Sequence, residues 1–330
     1  MVKPPVLKVG DRVRVVAPSS NIGGLSPEVV KRGLSNLEGL GLQVELDEGC
    51  WRDHHGAAGT PLERAATLMD AFQDPAVKGI LCLWRGYNCN DLLPYLDWDI
   101  PRQTPKFLCG YSDITVLNTA LLTASGLVTF QGPSFVNFTR SYLLEWEIAE
   151  FTQIAMGRPP HSITPAPAYI DDPFHWQHPE EKPPLVDNPG WRVVREGEAE
   201  GRLLGGHLGS LLTLAGTPFW PDTRGCLLFL ETDEESHPKQ LRRELSHLHQ
   251  LGALDNPAGL MFGRIPAHTG IKGPHSVENL ASDLLEGVDY PVVAGVDLGH
   301  TSPSAALPMG VRARLSTTPP RLTLLEPWNM

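Results

Sequence analysis

Residues 107–117 read FLCGYSDITVL, a stretch that joins a short apolar run to the start of a helical pattern. The run 107–109 is typical of a strand that is buried on both faces of a parallel sheet. From Ile114 onward, apolar residues recur at helical spacing. Ser112 and Asp113 lie between the two patterns. Either side chain could cap the helix, and Ser112 could instead be a nucleophile.

Strand and helix patterns alternate upstream of this stretch. The predicted elements are a strand over 11–17, a helix over 27–40, a strand over 43–46, a helix over 61–72 and a strand over 79–84. This order predicts an α/β fold in which the N-terminal domain has a mostly parallel sheet. Loops at the carboxyl ends of such strands are the usual place for an active site.

A change in composition divides the chain. Residues 157–191 contain nine of the 31 prolines and show no periodicity, so we predict a Pro-rich linker and substrate loop there. Beyond it, the predicted elements are strands over 226–230, 259–262 and 292–296, a helix over 238–251 and a closing hairpin over 312–325. We therefore expect an N-terminal α/β domain over 1–156 and a second, β-rich α/β domain over 192–330.

The composition indicates a globular protein with an acidic balance. The net charge of −11, from 38 acidic and 27 basic residues, argues against nucleic acids and membrane surfaces as partners. No stretch approaches the ~20 apolar residues of a membrane span, and the N-terminus lacks the apolar core of a signal peptide. The five cysteines fit no metal-binding spacing, and the pair His175 and His178 lacks a third ligand. We expect a cytoplasmic protein that acts on a small molecule or peptide.

Three predicted strands end near residues that suit acyl transfer by a serine. This chemistry needs a hydroxyl, a base, a group that orients the base, and donors for the oxyanion. Ser112, Glu231 and His300 each follow a strand-like run. Each also has a simpler explanation on its own: a helix cap, a solvated acidic turn and a loop histidine. The GxSxG motif of α/β-hydrolases is absent.

Three segments together carry a resemblance to a known family: GYSDIT (110–115), LLFLETDEE (227–235) and DLGHTSPSAALPMG (297–310). They resemble the signature segments of the serine peptidase family that contains LD-carboxypeptidases and microcin C7 self-immunity proteins. The segments VGDRVRVVAPSS, RGYNCNDLLPYLDWD and LLGGHLGSLLTLAGTPFWPD resemble further parts of the family in the same order. The resemblance therefore covers nearly the whole chain.

The resemblance implies a role for each candidate residue. Ser112 would be the nucleophile, His300 the general base and Glu231 the residue that orients it. Gly86 and Asp113 would supply the backbone N–H groups of the oxyanion hole. The triad would span both domains, which predicts an active site in the cleft between them. We further expect a homodimer, and the chemistry needs neither a metal nor an organic cofactor.

The loop 85–90 (RGYNCN) bears on the branch within the family. Self-immunity proteins typically carry a GGxNSN-like loop, whereas murein LD-carboxypeptidases look more like RGGYG. The asparagines favour the self-immunity branch, whose substrates are peptidyl- or aminoacyl-nucleotides. Arg85, Cys89 and His207 depart from that pattern, in which glycine, serine and asparagine are commoner.

Four residues are candidates for substrate binding. Arg85 could pair with a substrate carboxylate or phosphate through its planar guanidinium, or could instead extend along the surface or pair with a nearby aspartate. Trp176, and secondly Trp191, could stack on a nucleobase, as a loop tryptophan does in self-immunity proteins, or could only pin the loop to the core. His207 stands at the position of the commoner asparagine.

Two classes of function are compatible with these features. The first is a serine peptidase or amidase that cleaves an amide next to an unusual C-terminal group. Its substrate would be an aminoacyl-nucleotide in detoxification or, alternatively, a murein tetrapeptide in peptidoglycan recycling. The second is a non-catalytic binding protein in which the triad residues persist without alignment. The intact set of Ser112, Glu231 and His300 favours the enzyme.

Overall fold

The structure is a computed structural model that describes residues 1–172 and 177–330, except for the side chains of residues 281 and 282. Its strands are β1 (Arg12–Val16), β2 (Gln43–Leu46), β3 (Val77–Cys82), β4 (Phe107–Gly110), β5 (Phe130–Gln131), β6 (His161–Ile163), β7 (Ala168–Tyr169), β8 (Val186–Asp187), β9 (Arg192–Arg195), β10 (Glu198–His207), β11 (Cys226–Glu231), β12 (Gly259–Gly263), β13 (Val292–Val296), β14 (Leu307–Pro308), β15 (Arg312–Thr317) and β16 (Pro320–Leu324). Its α-helices are α1 (Pro27–Glu38), α2 (Pro61–Gln73), α3 (Asp99–Gln103), α4 (Ile114–Ser125), α5 (Glu145–Met156), α6 (Leu208–Leu212), α7 (Pro238–Gln250) and α8 (Val277–Leu284). None of the helices in these ranges is long and apolar enough to cross a membrane.

The N-terminal sheet has the strand order β14-β5-β4-β3-β1-β2. Strands β1 to β5 pair in parallel, and β14 pairs antiparallel with β5 at one edge. In β4, Phe107 and Cys109 belong to one apolar cluster and Leu108 to another, because successive side chains of a strand face opposite sides of the sheet. The predicted α/β fold with a mostly parallel N-terminal sheet is confirmed.

The C-terminal sheet has the order β6-β16-β15-β10-β11-β12-β13-β9. Its central strands β10 to β13 pair in parallel, and antiparallel strands flank them on both sides. The hairpin predicted over 312–325 is formed by β15 and β16. The segment 157–191, predicted as a Pro-rich linker and substrate loop, contains short strands within its described residues. It adds β6 to this sheet and pairs β7 with β8. Strands of two or three residues are too short to show a period.

Gly205 and Gly206 in β10 allow close contacts, and the contact at Gly206 joins the two halves of the chain. A Cβ atom at Gly205 would lie 1.8 Å from the carbonyl oxygen of Phe229 in β11, and one at Gly206 would lie 2.5 Å from Thr115 Oγ1 in α4. The Thr115 hydroxyl also accepts a hydrogen bond from the backbone N–H of His207 at 2.9 Å. The two glycines thus let β10 approach both a neighbouring strand and an N-terminal helix. Strand β14 makes a second link, because it belongs to the C-terminal half but lies in the N-terminal sheet.

Replacing Gly205 by alanine is expected to destabilise the fold by about 3 kcal/mol or more. Gly205 has a φ of +143°, and the added methyl group would clash with backbone atoms of a central strand. Gly216→Ala is the matched control, because Gly216 also has a positive φ, +80°, but has open space around it. Urea unfolding followed by circular dichroism would compare the two variants. Equal losses of roughly 1 kcal/mol would contradict the packing argument, since they would reflect backbone strain alone.

Candidate active site

Ser112, His300 and Glu231 meet where strands of the two sheets end. Ser112 follows β4, Glu231 is the last residue of β11, and His300 lies in the loop after β13. His300 Nε2 is 3.0 Å from Ser112 Oγ, and His300 Nδ1 is 2.7 Å from Glu231 Oε2. An imidazole placed in this way can accept a proton from the hydroxyl while the carboxylate stabilises the imidazolium that forms.

Ser112 has an unusual backbone conformation. Its φ is 63°, in the left-handed region that residues other than glycine rarely occupy and that costs roughly 1–2 kcal/mol. The helix α4 begins at Ile114, after Asp113, whose side chain makes no capping hydrogen bond. The explanation of these residues as helix caps is therefore wrong. The Ser112 hydroxyl is bonded to His300, and the Asp113 carboxylate is bonded to the loop 85–90.

Glu231 is held by close packing on two glycines. Only 2% of Glu231 is exposed, and a Cβ atom at Gly263 or Gly299 would lie within 2.8 Å of its side chain. Its second oxygen, Oε1, is buried without a hydrogen-bond partner among the residues that the structure describes. The alternative of a solvated acidic turn is wrong for this residue. Because burial weakens screening, its charge acts more strongly on His300 than a solvated carboxylate would.

The predicted oxyanion donors are the backbone N–H groups of Gly86 and Asp113. Neither makes a hydrogen bond within residues 1–172 and 177–330. The Asp113 N–H lies at the N-terminus of α4, where unpaired donors and the helix dipole favour negative charge. Gly86 packs so closely on Ser19 that a Cβ atom would lie 1.9 Å from Ser19 Oγ. Only glycine therefore fits at position 86.

A pocket opens beside His300, and we call it the active-site pocket. It is lined by Trp84, Arg85, Tyr111, Val136, Asn137, Arg140, Glu234, Gly299, His300 and Ser302. The ring of Tyr111 packs edge-on against the His300 ring, with centroids 5.0 Å apart. Arg140 is buried and donates to Glu147, so its charge is balanced inside the protein. Tyr111, Arg140 and Glu234 were not among the predicted site residues, although Tyr111 and Glu234 lie in the segments 110–115 and 227–235 that carry the family resemblance.

The charge of Arg85 is balanced across the cleft. Arg85 Nη1 forms an ion pair with Oε1 of Glu234, which lies in the loop after β11 and is 3% exposed at its side chain. Beside it, the Tyr87 hydroxyl donates to Glu235 Oε2 at 2.7 Å. Arg85 thus forms an ion pair within the protein, with a glutamate rather than the aspartate expected for that alternative. These contacts join the loops that the two halves of the chain contribute to the pocket.

His207 lies beside the triad, with protein partners at both ring nitrogens. Its Nδ1 is 2.8 Å from Ser210 Oγ, its Nε2 is 3.4 Å from Asp233 Oδ2, and its ring centroid is 5.5 Å from that of His300. Burial by itself would lower the pKa of His207, but the bond to Asp233 and the charges of Glu231 and Asp233 raise it to about 9. A contact between His207 and a substrate stays a prediction.

The structure describes one of the two tryptophans that were predicted to stack on a nucleobase. Trp191 is 5% exposed, and its indole N–H donates to Asp297 Oδ2 at 2.9 Å in the C-terminal core. The structure thus corrects the prediction that this ring is free to stack on a base. Trp176, the first candidate, lies outside the described residues, as does His175. Within the described ranges there is no group of three or more side chains that could hold a metal ion.

Two family models match most of the chain. The LD-carboxypeptidase N-terminal domain matches residues 13–132, and the LD-carboxypeptidase C-terminal domain matches residues 200–315. The probable murein peptide carboxypeptidase of Bacillus subtilis (strain 168) is 35% identical over 318 residues, which are 96% of this chain and 92% of that protein.

Solved structures resemble the whole fold. The MccF-like protein from Bacillus anthracis str. Ames is 33% identical, with a TM-score of 0.93 over 98% of this chain and 99% of that chain. The microcin C7 self-immunity protein MccF, solved in complex with aspartyl sulfamoyl adenosine, is 25% identical, with a TM-score of 0.91 over 100% of both chains.

Cys89 is expected to resist alkylation in the folded protein. Burial, and then the negative charge of Asp113, raise the pKa of the Cys89 thiol well above its ordinary value, so little thiolate is present at neutral pH. Mass spectrometry after brief treatment with iodoacetamide would compare Cys89 with the partly exposed Cys226. Treatment in urea, where both should react, is the control. Faster reaction of Cys89 than of Cys226 in the folded protein would show that it is an accessible nucleophile.

Proposed function

The chain belongs to the LD-carboxypeptidase family of serine peptidases, and from that premise we propose that Ser112 is the nucleophile of a carboxypeptidase or amidase. The observation that carries the proposal is the continuous chain of hydrogen bonds from Ser112 through His300 to Glu231. In a non-catalytic binding protein, nothing would maintain this alignment together with the strained backbone of Ser112.

The proposed reaction proceeds through an acyl-enzyme. Ser112 Oγ attacks the carbonyl carbon of the scissile amide while its proton passes to His300 Nε2. Glu231 holds the imidazole through Nδ1 and stabilises its positive charge. His300 then protonates the leaving amine, and the C–N bond breaks. A water molecule, deprotonated by the same imidazole, hydrolyses the ester and restores Ser112.

Negative charge that develops on the carbonyl oxygen needs fixed donors. The backbone N–H groups of Gly86 and Asp113 are proposed for this role, and the dipole of α4 adds to it. Donors that are already in place require no reorganisation when the charge forms. In a serine protease, loss of one such donor lowers kcat by roughly 10²–10³.

The leading substrate class is a peptidyl- or aminoacyl-nucleotide. Its support is the fold shared over the full length with a self-immunity protein that binds aspartyl sulfamoyl adenosine, together with the asparagines of the loop 85–90. In this proposal, Trp176 stacks on the base. The homodimer and the cytoplasmic location also stay proposals, and light scattering and cell fractionation would test them.

A murein tetrapeptide is the second candidate, and Arg85 is the observation that favours it. Its guanidinium is next in sequence to the proposed oxyanion donor Gly86, where it could receive the carboxylate that follows a scissile bond in a carboxypeptidase. The Glu234 carboxylate pairs with it in the structure. A substrate carboxylate, or a phosphate, would therefore have to replace Glu234 at this arginine.

The triad variants test the chemistry. Ser112→Ala is expected to abolish hydrolysis and labelling by a serine-reactive phosphonate while substrate binding remains measurable, because only the covalent route is lost. Glu231→Gln and His300→Ala should each lower kcat severely, and the double variant should be little worse than either single one. Steady-state kinetics would compare them. Activity of Ser112→Ala within a few-fold of wild type would end the proposal, and multiplicative losses in the double variant would show that Glu231 and His300 act independently.

Tryptophan variants test the substrate class. Trp176→Ala is expected to raise KM for an aminoacyl-nucleotide analogue by about 10- to 100-fold, the scale of base stacking, and to leave any turnover of a murein tetrapeptide nearly unchanged. Trp191→Ala is the matched control, because that ring is buried and its loss should affect both substrates equally through the fold. Measuring kcat and KM of wild type and both variants on the two substrates would distinguish the two substrate classes. Equal effects of Trp176→Ala on both would remove the stacking role, and a wild type active only on the tetrapeptide would favour the second candidate.

A further inference from the structure

The segment 83–88 has no regular secondary structure, yet it contains one of the two proposed oxyanion donors, Gly86. Such a donor lowers the barrier only when it lies at hydrogen-bond distance from the place where the oxyanion forms. Contacts other than those of a helix or strand therefore have to fix Gly86. Three buried polar side chains make these contacts: Asp113, Ser19 and Arg64.

The Asp113 carboxylate is at the centre of this set. Its Oδ2 accepts hydrogen bonds from the backbone N–H groups of Asn88 at 2.8 Å and Cys89 at 2.9 Å, and from the Ser19 hydroxyl at 2.6 Å. Hydrogen bonds to an ionised acceptor are roughly twice as strong as neutral ones. The residue that follows the nucleophile thus ties the loop 85–90 to the start of α4.

Ser19 connects this anchor to Gly86. A Cβ atom at Gly86 would lie 1.9 Å from Ser19 Oγ and 2.7 Å from Ser19 Cβ, so the Gly86 backbone rests directly on the serine side chain. The Ser19 oxygen lies 2.6 Å from Asp113 Oδ2 and 2.8 Å from Asn88 Oδ1, and its one proton can be donated to either of them. The loop cannot move toward Ser19 without a clash, and it cannot move away without losing the bonds of Asn88 and Cys89 to the carboxylate.

Arg64, in α2, joins the same two segments. Its Nη1 donates to the carbonyl oxygen of Pro18 at 2.6 Å and to that of Asn88 at 3.0 Å. Pro18 precedes Ser19, and Asn88 follows Gly86 by two residues, so one buried guanidinium holds both sides of the contact.

We propose that Asp113 and Ser19 are positioning residues that set the distance between the two oxyanion donors. Asp113 acts twice: its backbone N–H is one donor, and its carboxylate fixes the loop that carries the other. Displacement of Gly86 would weaken stabilisation of the oxyanion and leave contacts with the rest of the substrate unchanged. The proposal rests on the proposed function, but the order of the loop can be measured without a substrate.

Ser19→Ala is the most direct test, because it removes one hydroxyl and keeps the Cβ atom against Gly86. Both kcat and the rate of phosphonate labelling of Ser112 are expected to fall about 10- to 100-fold, with KM changed by less than about threefold. Asp113→Ala should lower kcat and the labelling rate further. Asp113→Asn keeps an acceptor oxygen, so its kcat should lie between those of Asp113→Ala and wild type. Ser125→Ala is the matched control, since Ser125 is also buried but its hydroxyl donates to Leu121 at the other end of α4. It should keep wild-type kcat.

Backbone hydrogen exchange over residues 83–90 separates this proposal from the proposed function. Exchange there is expected to be about tenfold or more faster in Ser19→Ala and Asp113→Ala than in wild type, and unchanged in Ser125→Ala. Unchanged exchange in this segment, or a kcat of Ser19→Ala within about threefold of wild type, would overturn the proposal. A wild type that no phosphonate labels and that cleaves neither substrate would overturn the proposed function, and exchange alone would then decide the positioning role. If Asp113→Ala does not fold, the kcat and hydrogen exchange of Ser19→Ala and Asp113→Asn test the positioning role instead.

Discussion

The imidazole of His300 connects a hydroxyl at the end of one sheet to a carboxylate at the end of the other. This pair of hydrogen bonds requires the two sheets to approach within the width of one side chain, and several unusual local features serve that approach. Gly263 and Gly299 leave room for Glu231, while Gly205 and Gly206 let β10 lie against both β11 and α4. A methyl group at Gly206 would clash with Thr115 of the N-terminal half, whereas one at Gly205, Gly263 or Gly299 would clash with residues of the C-terminal half itself.

Buried charges near this junction are paired, because an isolated charge in a weakly polar interior is costly. Arg140 pairs with Glu147, and Asp113 is satisfied by backbone N–H groups and by Ser19. Arg85 and Glu234 differ from these, since their pair crosses the cleft and lines the active-site pocket. A ligand with a negative group that bound Arg85 would remove the ion-pair partner of the buried Glu234 carboxylate. The charged side chains of the pocket are therefore Arg85, Arg140 and Glu234, of which Arg85 and Glu234 lie in loops from different halves of the chain.

The sequence predicted the regular part of this arrangement and missed the contacts that complete it. Strands β2 and β13 have the predicted bounds, because runs of apolar residues are local patterns. Ser112, Glu231 and His300 lie together as the family resemblance implied, whereas the local pattern at each residue also allowed a simpler explanation. The left-handed φ of Ser112 and the partner of Arg85 depend on residues far away in the chain. The position of Trp191 was likewise not predictable from the residues around it in the sequence. Its place in a Pro-rich segment suggested an accessible ring, whereas its bond to Asp297 places it in the core.

The loop 85–90 shows why departures from a family pattern need not change a site. Cys89 stands where serine is commoner, but the group that binds Asp113 is its backbone N–H, and its side chain is buried away from solvent. Asn88 contributes its backbone N–H and carbonyl oxygen to the anchor, and its side-chain Oδ1 lies 2.8 Å from Ser19 Oγ and 3.3 Å from Arg64 Nη1. A backbone contact places little demand on the identity of the residue that makes it, apart from proline, which lacks the N–H group. Gly86 is the exception, because the approach of Ser19 leaves no space for a Cβ atom. Within this loop, steric room at position 86 constrains the sequence more tightly than the backbone hydrogen bonds at positions 88 and 89, while the side-chain contacts of Asn88 with Ser19 and Arg64 add a demand of their own.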